Sequence, residues 1–209
     1  MSATLQAQWR HDVAALPGPA DVKDAAFAEI IRAHSEPHRR YHGLGHLKAL
    51  FSLLAQYAPA AAAPLRFAVW WHDVIYEPMT PDNEERSAVM AKERLSAMGV
   101  ESILIDAVEK LILATKNHWE GPSLGEGDLF LDADIAILGA DGAAYDQYAR
   151  DVRTEYSAVP EALFRGGRAK FLAGAMDRKP MFRTEIFERA FGDTARANMQ
   201  REHARLSAI

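Results

Sequence analysis

The chain contains no cysteine, which excludes disulfides, thiolate nucleophiles and every cysteine-ligated zinc site. Any metal must sit on histidine, aspartate and glutamate. Also missing is the uninterrupted apolar run of roughly 20 residues that a membrane span needs, because Arg66 splits the most apolar region and Pro59 and Pro64 lie inside it. No basic stretch followed by an apolar segment marks the start for export, so a soluble, cytoplasmic protein is expected. Alternating apolar patterns of useful length are absent, as are Asn-Gly or Asp-Gly turns flanked by β-branched runs, which argues against a sheet. What is present, 49% hydrophobic and 25% charged residues in 209, is enough for a real core. With no internal repeat and no linker, the expectation is one domain over residues 1–209.

The net charge of −5 is unevenly spread, with 14 Lys+Arg against 24 Asp+Glu in residues 1–164 and 10 against 5 in residues 165–209. The C-terminal charges alternate in sign, as on a solvated helix face, and no nucleic-acid motif accompanies them. No nucleic-acid polymer and no membrane is expected as a partner. The segment ending REHARLSAI can serve a homo-oligomer contact.

Helical periodicity pervades the chain. Val22, Ala26, Ile30 and Ala33 recur at helical spacing over 21–33, with Asp21 as a plausible cap. A second helix is expected after Pro37, with Leu47, Leu50, Phe51 and Leu54 as its stripe and Pro59 as its end. A third spans 64–73. After the loop VIYEPMTPD, Asp82 or Asn83 can cap a helix reaching Met98, and another runs over 103–118 to Gly121-Pro122. GPSLGEGD reads as a loop, followed by helices over 132–139, 141–157, 161–176 and 181–206, the last broken near Gly192. Tyr145, Tyr148, Val152 and Tyr156 form a helical stripe that reads as core, as do Trp70 and Trp71.

Within this helical frame, three groups of residues carry possible chemistry. His42 and His46, four apart in RYHGLGHL, share a face if both are helical, which is ligand spacing; a pair of ordinary surface or core histidines is the alternative. His72 and Asp73 end the apolar run FAVWW, where a buried carboxylate needs a partner; a divalent cation supplies one, and backbone hydrogen bonds are the other solution. In LFLDADIAILG, Asp132 suits a helix cap while Asp134 projects inward from the first turn and is the better ligand, although both can simply complement the helix dipole.

The H…HD…D order in an all-helical chain, with YHxxxH, the HD doublet before VIYEP and DNEERSA, Thr115 to His118, and DADIAILG, resembles the HD superfamily of metal-dependent phosphohydrolases across most of the chain. RDVRTEY and GGRAKFL fit the same resemblance. It implies an all-α, HD-domain helical bundle in which His46, His72, Asp73 and Asp134 are the metal ligands. Such a borderline-hard site suits Mn, Fe, Co, Ni, Zn or Mg and leaves positions for water and a substrate oxygen. The implied reaction is attack of water on a phosphoester of a small metabolite, a nucleotide by preference, with Asp73 also orienting the water. His42 and His118 are then candidates for contacting phosphate, moving a proton or completing a second metal site. Glu84, near Ser87 on one helix face, can anchor a water or simply favour its helix dipole. Arg40, Lys116, Arg153 and Arg168 are candidates for holding the substrate phosphate. Two other classes remain in view, a di-iron oxygenase on the same scaffold and a non-catalytic metal- or nucleotide-binding module.

Overall fold

The computed structural model describes residues 2–208, with side chains from Thr4 onward. Ten α-helices and no strand occur among the described residues, making the fold an all-α bundle. They are α1 (Ser2–Val13), α2 (Ala20–Ala33), α3 (Leu44–Tyr57), α4 (Ala63–Trp71), α5 (Asn83–Ala97), α6 (Ser102–Ala114), α7 (Gly127–Ile135), α8 (Gly142–Glu155), α9 (Glu161–Met176) and α10 (Glu185–Ser207). Short 3-10 turns at Thr115–Asn117 and Ala136–Gly139 follow α6 and α7. No helix is long and apolar enough to cross a membrane.

The bundle is organised around α4. Leu65, Phe67, Ala68, Val69, Trp70 and Trp71 are all buried, as expected of a helix apolar on nearly every side, and α1, α3, α5, α6 and α7 pack around it. Pro64 lies in its first turn, where a missing N–H costs nothing. The Trp70 ring meets Trp9 edge-on at 5.3 Å, and Phe51 lies at 4.6 Å. Arg66, partly buried, has its charge met by Asp12, with Nε 2.8 Å from Oδ1, while Trp70 Nε1 donates to Asp12 Oδ2 at 2.9 Å. Asp12 thereby pins α1 to the central helix. Helix α1 was not anticipated, because only Leu5, Trp9 and Val13 give its otherwise polar sequence an apolar face.

The structure corrects several expected boundaries. Helix α3 begins at Leu44, with His42 outside it and Gly43 as its extended N-terminal residue. The segment read as GPSLGEGD already contains the start of α7, since the helix opens at Gly127. Asp128 closes the preceding turn by accepting from Ser123 Oγ at 2.5 Å and Leu124 N at 3.2 Å. Glycine suits position 127 because a Cβ there would lie 2.9 Å from Leu124 Cβ and 2.5 Å from the tip of the Leu111 side chain. Helix α2 starts before Asp21, with Pro19 at its cap position. Helix α10 runs unbroken through Gly192.

Asp132 caps a different helix from the one expected. It lies inside α7, and its carboxylate accepts from Arg183 N and Thr184 N, each at 2.7 Å, and from Thr184 Oγ1 at 2.6 Å. Thr184 is the N-cap of α10, so Asp132 fastens the start of that helix to α7. Farther along, Gly139 lets the backbone after α7 approach α10 closely: a Cβ would meet Phe191 atoms at 2.5 and 2.6 Å. Removing a buried carboxylate that satisfies three partly buried donors is costly. Asp132→Ala is therefore expected to lower the urea-unfolding free energy by about 3 kcal/mol; a loss within 0.5 kcal/mol, the range of an ordinary surface change, would contradict this role.

Candidate metal centre

Four side chains from three places in the fold converge where α3, α4 and α7 meet. His46 sits in the first turn of α3, His72 and Asp73 directly follow α4, and Asp134 lies in the last turn of α7. His46 Nε2 is 2.8 Å from Asp134 Oδ1 and 3.2 Å from His72 Nε2. His72 Nε2 is 3.1 Å from Asp73 Oδ2 and 3.4 Å from Asp134 Oδ1. Both imidazoles are buried, whereas the Asp73 side chain is 19% exposed. The cluster therefore has one carboxylate turned toward solvent.

The donor chemistry shows what this arrangement accommodates. His72 Nδ1 lies 3.1 Å from the Val69 carbonyl, an acceptor only, so that nitrogen carries the proton and a neutral ring presents a lone pair at Nε2. The Nε2 lone pair then faces another imidazole and two carboxylates. Burial opposes charging of His72, but Asp73 and Asp134 overcome it and raise its pKa well above the usual value. Burial likewise opposes ionisation of Asp134, yet the charge of His72 and hydrogen bonds from His118, His46 and His72 bring its pKa well below normal. The site attracts positive charge, and His46, His72 and Asp134 form a group able to hold a metal ion. Asp73 Oδ2, 3.8 Å from His46 Nε2, adds a fourth donor. The residues present fit a divalent cation with nitrogen and oxygen preference.

Two further histidines flank the cluster in different ways. His118 Nε2 lies 2.7 Å from the outer oxygen of Asp134, Oδ2, so it orients that carboxylate. His42 Nδ1 is 2.7 Å from Glu155 Oε2, and its ring stacks on Tyr76 with centroids 4.2 Å apart. Tyr76 also donates its hydroxyl to Glu155 Oε2 at 2.8 Å. His42 reaches the site through this loop rather than through the helical register with His46. The reason is Glu155 Oε1, which accepts from the backbone N–H groups of Arg40, Tyr41 and His42 at 2.7, 2.8 and 3.0 Å. A carboxylate that satisfies three successive amides fixes an irregular turn there.

Arg39 braces the same region from the other side. Its side chain is 1% exposed, with Nη1 donating to the His42 carbonyl at 3.2 Å and to that of Asp73, and Nη2 to that of Val74 at 3.1 Å. It ties the turn bearing His42 to the end of α4. Neither Glu155 nor Arg39 was singled out from the sequence. Glu155 carried a readable signal, since an acid three residues after Val152 falls on the apolar face of the tyrosine stripe. Arg39 sits in a polar segment and had none.

The cluster opens into a cleft of about 520 Å³ lined by His42, Asp73, Glu84, Lys116, His118 and Asp134, among others. Glu84 thus faces the same cleft as the centre. Ser87 does not: it is buried and binds the Ile75 backbone, accepting from N at 3.1 Å. Lys116 lies at the cleft with its ammonium on the Pro81 carbonyl, at 2.7 Å, and on Glu85. The three arginines considered for phosphate are not brought to the cluster. Arg40 is exposed and borders a separate groove beside His46. Arg153 is held by Glu161 at 2.9 Å and by the Tyr156 and Val159 carbonyls at 2.7 and 3.2 Å. Arg168 is buried in a two-point pair with Glu202, at 2.9 and 3.0 Å, and donates to Tyr148 Oη at 3.1 Å. Both guanidiniums are thus engaged within the fold, and for Arg168 this follows from burial, which requires its charge to be satisfied locally.

No protein-family model, curated protein or solved structure matches the chain.

Glu155 gives the centre a pH signature. Burial raises its pKa, but the hydrogen bond and charge of His42, the backbone amides and Tyr76 outweigh burial and lower it from 4.5 to about 2. A carboxyl with a depressed folded-state pKa stabilises fully above its unfolded value and loses that contribution as pH falls through the folded value. The urea midpoint is therefore expected to drop as pH is lowered from 4.5 toward 2. Glu155→Gln should be about 2 kcal/mol less stable at neutral pH and should show a shallower decline over that window. Parallel profiles for the two proteins would contradict the assignment.

Proposed function

We propose that this protein is a metal-dependent phosphohydrolase of the HD type, acting on a phosphoester of a small metabolite. The observation that carries the reading is the convergence of two imidazole nitrogens and two carboxylates at the floor of an open cleft. His46, His72, Asp73 and Asp134 would hold the ion, and Mn, Fe, Co, Ni, Zn and Mg all suit such a donor set. A divalent ion there supplies Lewis acidity, lowering the pKa of water and offsetting charge that develops on a phosphoryl oxygen.

The chain's own residues supply the rest. Asp73, the most exposed of the four, can accept a hydrogen bond from the attacking water and aim it. His118 keeps Asp134 in one orientation, the usual task of a group bonded to a ligand's second oxygen. His42 is set up to handle a proton. Burial lowers its pKa, but the Glu155 hydrogen bond and the charges of Asp73, Glu155 and Asp134 raise it above 6.5 on balance. With Nδ1 directed to Glu155, Nε2 is left for the cleft and can protonate the departing ester oxygen. Lys116, Thr80 and Asn117 line the polar side of the same cleft and can bind the remaining phosphoryl oxygens.

The test is phosphate release from a panel of phosphomonoesters, phosphodiesters and nucleotides with added Mn2+. Wild type is expected to turn over at least one class. Asp73→Ala should fall at least about 100-fold, and His42→Ala about 100-fold in kcat, with helical circular dichroism unchanged in both. Full activity in Asp73→Ala would overturn the proposal, as would oxygen uptake by the iron-loaded protein with no phosphate released, which would favour an oxygenase.

A further inference from the structure

Beside the metal-centre cleft lies a second hollow of about 520 Å³, bounded by Met79, Val152, Leu163 and Phe164 and, where the two join, by Tyr156 and Phe171. His42, Tyr148, Tyr156 and Phe171 line both spaces, so a molecule can extend from one into the other. The two differ in character. The first is floored by carboxylates and histidines, whereas the second is almost wholly apolar, and Arg168 on its wall is already paired with Glu202.

Exposure singles out the same place. Met79 is 70% exposed, Leu163 69% and Phe171 38%, and all three border this hollow. Grouped apolar exposure beside a polar reaction centre is the usual construction of a small-molecule site. Met79 also holds a left-handed backbone, φ 76°, which a side chain of its size rarely adopts. The turn is imposed by Asn83, whose Oδ1 accepts from Glu77 N at 3.0 Å and whose Nδ2 donates to the Glu77 and Thr80 carbonyls at 2.9 and 3.2 Å. The helix following the His72–Asp73 loop thereby places an apolar side chain at the mouth of the hollow.

We infer that this hollow receives the non-reacting part of the substrate, an aromatic or similarly flat apolar group carried on the ester oxygen. The inference deepens the phosphohydrolase reading and rests on it for the position of the phosphoryl group. Charge favours one phosphoryl group over a chain of them. Among the described residues lining the cleft, the lysine and arginine charge comes from Lys116, which already contacts Glu85, while Asp73, Glu84 and Asp134 are acidic. A phosphomonoester of an aromatic alcohol fits this balance. A polyphosphate would bring further negative charge without partners to receive it.

The test is calorimetric binding of two non-hydrolysable probes, 1-naphthylphosphonate and methylphosphonate, to the Mn2+-loaded protein. The naphthyl probe should bind at least about tenfold tighter. Leu163→Glu should cut that preference at least about fivefold, leaving methylphosphonate binding unchanged, and Leu163 is exposed enough for the variant to fold. Phe164→Ala provides a second reading of the same wall. Equal affinities in wild type, no binding of either probe, or a preference intact in both variants would overturn the subsite. A clear naphthyl preference without turnover of any phosphoester would remove the hydrolase reading and leave the subsite. Turnover with equal probe affinities would do the reverse.

Discussion

The rest of the structure depends on one electrostatic constraint: lone pairs from His46, His72, Asp73 and Asp134 point at one another in a largely buried place. With both imidazoles neutral, the one hydrogen these rings can place in that space is on His46 Nε2, toward Asp134, and the two carboxylate charges stay uncompensated. Some positive charge must enter, as a proton on histidine or as a cation. The Val69 carbonyl already holds one proton at His72 Nδ1, and the facing carboxylates raise the affinity of Nε2 for another charge. Such a site is costly to bury unless occupied. Its conservation of geometry comes from the apolar helices around it, especially α4, which delivers His72 and Asp73 from the most buried segment of the chain.

Two residues far from each other in sequence hold the irregular backbone that the helices cannot. Glu155, at the end of α8, gathers three amides of the 40–42 turn on one oxygen and His42 and Tyr76 on the other. Arg39 gathers carbonyls from that turn and from the segment after α4. An acid satisfies the N–H groups of the turn, and a guanidinium satisfies its His42 carbonyl together with those of Asp73 and Val74, so the turn is held without secondary structure. Helix α8 is thereby coupled to the candidate metal centre through His42. Because Tyr148 and Tyr156 of the same region also line both hollows, one element positions His42 and shapes the adjoining apolar wall.

The all-helical architecture was readable because apolar spacing at three and four residues is a local signal, clear in the segments that became α3, α4, α6 and α8. The helix starts were less so. Gly125 and Gly127 made the approach to α7 look like a loop, whereas Gly127 answers a packing demand from Leu111 that only the tertiary structure reveals. That displaced Asp132 and Asp134 from the start of a helix to its end, yet left Asp134 in the cluster, since an acid between Ala133 and Ile135 must face something polar inside. Asp132 shows the limit: its partners at 183 and 184 lie some fifty positions away. The arginines illustrate it again, because whether a guanidinium is free for an anion depends on carboxylates such as Glu202 that become neighbours only on folding.

The central claim is that these converging lone pairs exist to hold a divalent cation. The most direct measurement is the metal retained per chain after metal-stripped protein is loaded with Mn2+ and passed through a desalting column, comparing wild type with His72→Ala. The account predicts one retained ion in wild type, lost in the variant while its helical content stays the same. An unoccupied wild type, or equal retention by both proteins, would contradict it.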